Sequence, residues 1–287
     1  MTARILTGRE PAGAQRAEVA ERVAALAVDG VSVGLATLLV GDDPASAVYV
    51  GMKHKAAVQA GIKSIDRRLN ADASQDEVDA AIDALNRDPE VTAFIVQLPL
   101  PRHLDTDRAL LRIDPRKDAD GLHVLNLGRM VLDLPAPRPA TPSGVLRLLD
   151  FYEVGVQGKD VVIVGRSQLV GRPLSIMLSH KSRNATVTVA HSATKDLAGV
   201  ARSADILIVA AGSPGLVGGD YVAPGAVVVD VGTTKTDAGL AGDVRFDEVV
   251  EAASAITPVP GGIGPMTIAG LLANTAFLAE AARDGVW

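Results

Sequence analysis

Strand-length apolar runs alternate with helical patterns along most of this 287-residue chain. Alternation of this kind predicts parallel sheets whose strands are joined by crossover helices. Strands are expected at residues 31–40, 62–69, 91–96, 161–164, 186–190, 206–210 and 227–231. Helices are expected at residues 46–60, 104–112, 141–153 and 268–283, with two more that begin at Ser74 and near Gly171. The predicted fold class is therefore α/β.

A proline-rich stretch at residues 135–139 divides the chain into two expected domains. Domains commonly contain ~100 to 200 residues, so a chain of this length suits two of modest size. The first is expected over residues 1–139, as an αβα lobe completed by a C-terminal helix over residues 268–287. The second, over residues 140–267, starts a βαβ unit at Asp160 and is expected to be Rossmann-like. We expect a cleft between the two lobes.

The charge and the residue content exclude several classes of protein. A formal net charge of −6 argues against a sequence-independent nucleic-acid binder, which needs a basic face to neutralise phosphates. The chain contains no cysteine, which excludes a disulfide framework, a thiolate zinc site and a cysteine nucleophile, and we expect no metal. Residues 1–10 carry no apolar signal core, and no run of roughly 18 apolar residues occurs, so no membrane association is expected. The expected location is the cytoplasm.

The segment GRSQLVGRP, residues 165–173, lies between an expected strand and an expected helix. Backbone N–H groups and the helix dipole at such a turn can hold a pyrophosphate. The spacing differs from G-x-G-x-x-G and from a Walker A loop. A tight turn whose glycines only permit close packing is the alternative interpretation.

The end of the next strand indicates which dinucleotide this turn would bind. NAD enzymes usually present an acid there, which binds the ribose 2′-hydroxyl and repels a 2′-phosphate. This chain has His191-Ser192 at that position. Arg166 offers a charged fork to a 2′-phosphate and Ser192 offers a hydroxyl, which favours NADP over NAD. The alternative is that Arg166 is a solvated surface residue.

Four side chains of the first domain are candidates for chemistry. Tyr49 and Lys53 are four residues apart, so on one helix they share a face, and a phenol beside an ammonium can relay a proton. Gln97 follows an expected strand, where α/β proteins bind ligands. Asp120, in an expected loop, can accept two hydrogen bonds from a heterocycle with adjacent N–H and amino donors. A surface lysine beside a half-buried tyrosine, a turn-forming glutamine and an Asx-turn aspartate are the alternatives.

Six blocks of the chain, in order, resemble the bifunctional methylenetetrahydrofolate dehydrogenase/methenyltetrahydrofolate cyclohydrolase family, and the resemblance extends over nearly the whole chain. The blocks are SAVYVGMKHK (residues 46–55), VQLPLP (96–101), KDADG (117–121), GRS with VGRP (165–167 and 170–173), HSAT (191–194) and PGGIGPMT (260–267).

The resemblance implies NADP-dependent oxidation of 5,10-methylenetetrahydrofolate, followed by hydrolysis of the methenyl product to 10-formyltetrahydrofolate. It implies that Lys53 is the catalytic lysine, that Gln97 holds its ammonium group, that Tyr49 packs on the folate and that Asp120 grips the pterin. The first domain is then the catalytic, folate-binding one and the second the NADP-binding one. The resemblance also implies a homodimer formed through the second lobe.

The resemblance further implies two sets of binding residues. The folate is expected to contact Tyr49, Lys53, Gln97, Leu98, Asp120, Gly261, Gly262 and Pro265. NADP is expected to contact Gly165, Arg166, Ser167, Ser192 and Thr233. The chain departs from the family at Ala140, where cysteine is frequent, and at Thr233, where isoleucine is common.

Two alternatives stay open. The first is a dehydrogenase without cyclohydrolase activity, with NAD as the alternative cofactor. The second is a catalytically silent dinucleotide-binding sensor. The absence of an acid at His191-Ser192 opposes NAD, and the presence of both Lys53 and Asp120 opposes a sensor, which has little need of either.

Overall fold

A computed structural model describes residues 2–237 and 239–286. The first elements are β1 (Arg4–Ile5), α1 (Arg9–Val28), β2 (Gly34–Val40), α2 (Pro44–Gln59), β3 (Lys63–Leu69), α3 (Gln75–Arg87), β4 (Ala93–Val96), α4 (Thr106–Arg112), α5 (Val124–Val131) and α6 (Ala140–Phe151). The later ones are β5 (Asp160–Val164), α7 (Gly171–Ser179), β6 (Thr186–Ala190), α8 (Leu197–Arg202), β7 (Ile206–Val209), β8 (Val227–Asp230), β9 (Thr234–Thr236), β10 (Gly239–Ala241), α9 (Phe246–Val249), β11 (Ala255–Ile256) and α10 (Ile263–Asp284). None of the helices in these described ranges is long and apolar enough to cross a bilayer.

The chain divides into two compact units. The first unit contains Gly13–Ala140 and the chain from Ile268 onward; the second unit contains the residues up to Ala12 and Thr141–Thr267.

The first unit is built on a parallel three-stranded sheet of order β3-β2-β4. All seven residues of the central strand β2 are buried, because helices cover both faces of the sheet. Leu35 and Ile95 pack on one face with α1, α2 and α10, whereas Leu38 and Phe94 pack on the other with α3 and α4. The result is the expected αβα layering.

The second unit is built on a parallel six-stranded sheet of order β1-β11-β8-β7-β5-β6. Its inner strands are apolar and buried along nearly their whole length, as in sheets covered on both faces. The short antiparallel pair β9 and β10 follows β8. The α/β class with parallel sheets and crossover helices agrees with the sequence.

The domain boundary differs from the sequence expectation at the N-terminus. Residues up to Ala12 belong to the second unit, whereas the sequence placed them in the first domain. The physical reason is strand pairing: β1 lies parallel to β11, with Ile5 opposite Ile256. A two-residue strand carries no periodic signal, so its partner was invisible in the sequence.

Several elements differ from the expected bounds or were not expected. Helix α1 was missed because its buried stripe, which includes Val19, Val23 and Leu26, is narrow within a sequence rich in alanine and charge. Helix α10 begins at Ile263 rather than at residue 268. Pro265 therefore lies in its first turn, where a missing N–H breaks no helical hydrogen bond, and not in a loop.

The core of the first unit provides a test of the fold. Replacing the fully buried Leu38 by alanine leaves a cavity and is expected to lower the free energy of unfolding by about 2–5 kcal/mol. The matched control is Leu132→Ala, because Leu132 is 70% exposed and its loss is expected to change stability by less than about 0.5 kcal/mol. Urea denaturation measures both. Equal losses in the two variants would contradict the described packing.

Candidate active site

Tyr49 and Lys53 lie on one face of α2, as expected. The helix begins after Asp43, whose carboxylate accepts a hydrogen bond from the backbone N–H of Ser46 at 2.7 Å. This cap satisfies one of the free donors at the helix N-terminus. The side chains of Tyr49 and Lys53, one helical turn apart, are both half-buried.

Gln97 binds the ammonium group of Lys53. Lys53 Nζ donates to Gln97 Oε1 at 2.9 Å, and Gln97 Nε2 donates to the backbone carbonyl of Leu98 at 2.7 Å. The second bond orients the amide so that its oxygen faces the lysine. The backbone N–H of Gln97 donates to Leu38 O at 2.9 Å, which places the glutamine at the carboxyl end of the sheet. Leu98 is half-buried and precedes a cis peptide bond to Pro99.

Asp120 forms an electrostatic pair with Lys53. Burial, opposed by the charge of Lys53 and assisted by that of Asp118, raises the pKa of Asp120 to about 6. Burial also lowers the pKa of Lys53, against the attraction of Asp120. Both groups therefore exchange protons closer to neutral pH than they do in water, which suits acid–base chemistry.

Asp118 fixes the loop that carries Asp120, a role that the sequence did not reveal. Its carboxylate is buried and accepts hydrogen bonds from the backbone N–H groups of Gly121 at 3.0 Å and His123 at 2.8 Å. It also accepts one at 2.8 Å from Asn126 Nδ2. The available sequence signal was a second aspartate two residues before Asp120.

Asn274 of α10 holds the same loop from the other side. Its Nδ2 donates to the carbonyls of Ala119 and Arg138, both at 2.8 Å. Gly121 lies against Arg138 with a φ of 70°, and a Cβ there would come within 2.5 Å of the Arg138 carbonyl carbon. The sequence signal for this contact was a lone asparagine in an alanine- and leucine-rich segment.

In the second unit, the turn between β5 and α7 is compact enough to need glycine. Gly165 has a φ of 128°, and a Cβ there would lie 2.1 Å from Ala210 O; a Cβ on Gly171 would lie 2.0 Å from Gly165 O. Ser167 Oγ accepts a hydrogen bond from Val170 N at 3.1 Å. Val170, which precedes α7, makes no side-chain capping hydrogen bond, and Arg166 and Ser167 are exposed. The turn therefore fits a phosphate group at its backbone and its exposed polar side chains.

Ser192 and Thr233 follow two other strands of that sheet. Val164 pairs with Ala190, and Gly165 N donates to Ala190 O at 2.8 Å, so Arg166 and Ser192 emerge at the same sheet edge. Ser192 and Thr233 are both exposed. The expected cofactor-binding residues therefore all leave the carboxyl ends of strands in the second unit, where α/β sheets bind ligands.

Gly261, Gly262 and Pro265 also lie in the second unit, around the start of α10. Gly8 N donates to Gly261 O at 2.8 Å. A Cβ on Gly8 would lie 1.8 Å from Gly262 O, so the N-terminal segment holds this glycine pair closely. Of the expected folate-binding residues, the structure brings Lys53, Gln97, Leu98 and Asp120 together in the first unit.

Fold and site together define a two-domain α/β enzyme that binds a dinucleotide. The family model for the tetrahydrofolate dehydrogenase/cyclohydrolase catalytic domain matches residues 6–120, and that for the NAD(P)-binding domain of the same family matches residues 139–283. The chain is 51% identical over 285 residues to the bifunctional protein FolD 2 of Frankia alni. The matched region covers 99% of this chain and 98% of that relative.

Solved structures agree with these matches. The bifunctional enzyme FolD of Campylobacter jejuni superposes with a TM-score of 0.93 at 45% identity, covering 98% of this chain and 99% of its own. A second solved structure is the Trypanosoma brucei methylenetetrahydrofolate dehydrogenase-cyclohydrolase, complexed with NADP and an inhibitor. It superposes with a TM-score of 0.92 at 39% identity, and the match covers 99% of each chain. This protein belongs to the tetrahydrofolate dehydrogenase/cyclohydrolase family, which confirms the resemblance, the fold class and the interpretation as an enzyme.

The charge pair provides a test that does not depend on activity. Lys53→Met removes the positive charge that lowers the pKa of Asp120, so this pKa is expected to rise above about 6. A carboxyl-carbon NMR titration of labelled aspartate measures it. The control is Lys55→Met on the exposed side of α2, which is expected to leave the Asp120 titration in place. An Asp120 pKa that stays constant or falls in the Lys53 variant would refute the pairing.

Proposed function

We propose that this protein oxidises 5,10-methylenetetrahydrofolate with NADP and hydrolyses the methenyl product to 10-formyltetrahydrofolate. The observation that carries the proposal is the half-buried Lys53, held by Gln97 at 2.9 Å and electrostatically paired with Asp120. Because burial lowers its pKa, the Lys53 ammonium group is suited to acid–base catalysis. A homodimer formed through the second unit and a cytoplasmic location remain predictions from the sequence.

Each residue of the first unit has a chemical task in this proposal. In the hydrolysis, water adds to the methenyl carbon, the bond from that carbon to one ring nitrogen breaks, and one proton is released. Lys53 stabilises the developing charge and moves a proton, because burial lowers its pKa. Gln97 fixes the position of the Nζ atom, and Tyr49 packs on the folate.

Asp120 is the group that recognises the pterin in this proposal. Near neutral pH, above its pKa of about 6, it is an ionised acceptor for two hydrogen bonds. Adjacent N–H and amino donors of a heterocycle match that capacity. Leu98, Gly261, Gly262 and Pro265 complete the proposed folate contacts.

The residues of the second unit hold the cofactor in this proposal. Gly165, Ser167 and Thr233 lie at the carboxyl ends of strands, and Arg166 and Ser192 are the groups that meet the 2′-phosphate. NADP, when bound, supplies the hydride acceptor, and the protein supplies alignment.

The activity test follows two absorbance signals separately, that of methenyltetrahydrofolate and that of reduced cofactor. Reduced cofactor with NADP, and methenyl product that decays faster than without enzyme, is the expected result. Methenyl product that accumulates and decays at the uncatalysed rate would leave a dehydrogenase alone. Absence of both signals with NADP and NAD would favour the silent sensor.

The role of Lys53 is tested by Lys53→Met. The hydrolysis rate is expected to fall about 100-fold or more, the usual contribution of a positioned proton-transfer group. NADP affinity measured by calorimetry is expected to stay within about twofold, because Lys53 lies in the other unit. Lys55→Met is the matched control and keeps both properties. Hydrolysis at the normal rate in the Lys53 variant would exclude this residue as the catalytic group.

The cofactor preference is tested by Arg166→Ala. Loss of a charge-assisted hydrogen bond to the 2′-phosphate is expected to raise the NADP KM about tenfold or more. NAD lacks that phosphate, so its KM serves as the internal control and is expected to change little. A parallel rise in both KM values would show that Arg166 does not read the 2′-phosphate.

A further inference from the structure

Two aspartates that the proposed mechanism does not use are buried at one end of the sheet in the second unit. Asp230 is the last residue of β8, and Asp243 follows β10. Asp230 is 3% exposed and Asp243 is fully buried. Buried carboxylates need hydrogen-bond donors, and the identity of those donors shows what these two residues hold.

Asp243 binds the loop that follows β7. Its Oδ2 accepts hydrogen bonds from the backbone N–H groups of Ala211 at 2.7 Å and Gly212 at 2.8 Å, and its Oδ1 accepts one from Ser213 N at 2.7 Å. Three consecutive amides therefore converge on one carboxylate. Such an array defines the loop conformation far more tightly than a single contact does.

Asp230 binds the loop that follows its own strand and also holds Asp243. Its Oδ1 accepts from Gly232 N at 2.9 Å and Asp243 N at 3.0 Å, and its Oδ2 accepts from Val244 N at 3.0 Å. The two carboxylates thus form a chain of contacts across three segments. Space around them is minimal, since a Cβ on Gly232 would lie 2.3 Å from Asp243 Cγ.

These loops adjoin the expected cofactor-binding turn. Ala210 N donates to Val164 O at 2.8 Å. A Cβ built on Gly165 would lie only 2.1 Å from Ala210 O, so the two backbones are in close contact. The loop held by Asp243 therefore begins against the first residue of that turn. The loop held by Asp230 continues directly into Thr233, another expected cofactor contact.

The arrangement is electrostatically unfavourable, which points to a function beyond stability. Burial, with the charge of Asp243, raises the pKa of Asp230 to about 6, although three backbone N–H groups lower it. The charge of Asp243 thus opposes the ionisation of Asp230. Strained electrostatics of this kind concentrate at functional sites.

We propose that Asp230 and Asp243 are positioning residues that hold loops 211–213 and 232–233 in their NADP-binding conformation before the cofactor arrives. The inference rests on the proposed use of NADP. Neither carboxylate contacts the cofactor in this account; both act through the backbone that they bind.

The first experiment is amide hydrogen exchange on the unaltered protein, resolved to single residues by NMR. The N–H groups of Ala211, Gly212, Ser213 and Gly232 are expected to be protected without cofactor, with little further protection when NADP is added. Fast exchange that becomes slow only with NADP would overturn the proposal, because the loops would then be ordered by the cofactor.

The second experiment is calorimetric titration of NADP into Asp243→Asn, whose amide group no longer offers two acceptor oxygens. If the competent loop conformation falls to about a tenth of the molecules, the apparent Kd for NADP rises about tenfold. The Kd for 5,10-methylenetetrahydrofolate is expected to stay within about twofold. The matched control is Asp79→Asn, since Asp79 is another buried aspartate, paired with Arg108 in the first unit.

The outcomes are distinct. A normal Kd for NADP in Asp243→Asn would overturn the proposal. An equal rise of that Kd in Asp79→Asn would also overturn it, because Asp230 and Asp243 would then have only a structural role. If Asp243→Asn does not fold, Asp230→Asn is titrated in the same way and amide exchange on the unaltered protein decides. Unaltered protein that binds neither NADP nor NAD would instead contradict the proposed function, and the exchange pattern would still report whether the loops are held.

Discussion

Parallel strand pairing is the constraint on which the rest of this structure depends. Because paired parallel strands end at the same edge, residues far apart in sequence emerge side by side there. In the first unit, Gln97 leaves β4 beside the end of β2. In the second, the turn at Gly165 leaves β5 beside the end of β6. The sheets therefore bring the candidate residues at strand ends together, and the adjoining helices and loops position the others.

Orientation depends on buried charge, which opposes stability. The pKa of Asp120, about 6, lies above the ~3.9 of an unfolded aspartate, so the folded state binds this proton more tightly. The corresponding stabilisation is complete below about pH 4 and is lost as the pH rises through about 6. At neutral pH the ionised Asp120 therefore weakens the fold. Ionisable groups whose pKa is shifted in this way concentrate at functional sites.

Periodicity in the sequence predicted the class of fold and most strands, and the family resemblance implied that Gln97 holds the ammonium group of Lys53. The sequence did not predict α1, whose apolar stripe is narrow, or the pairing of β1 with β11, which joins distant segments. It also missed Asp118, Asn274, Asp230 and Asp243. Their partners are mostly backbone groups, which every residue carries, so no side-chain pattern in the sequence identifies those partners. Backbone-directed contacts become visible only when coordinates show where each N–H and carbonyl lies.

Helix α10 has a consequence for how the protein is made. It carries Leu271 and Leu272 into the core of the first unit and supplies Asn274, which holds the loop of Asp120. This helix leaves the ribosome after every other described element. The sheet of the first unit is therefore synthesised before the whole of Thr141–Thr267, and the helix that completes its core is synthesised after that segment. The loop that carries Asp120 therefore gains its contact with Asn274 only after the second unit has been synthesised.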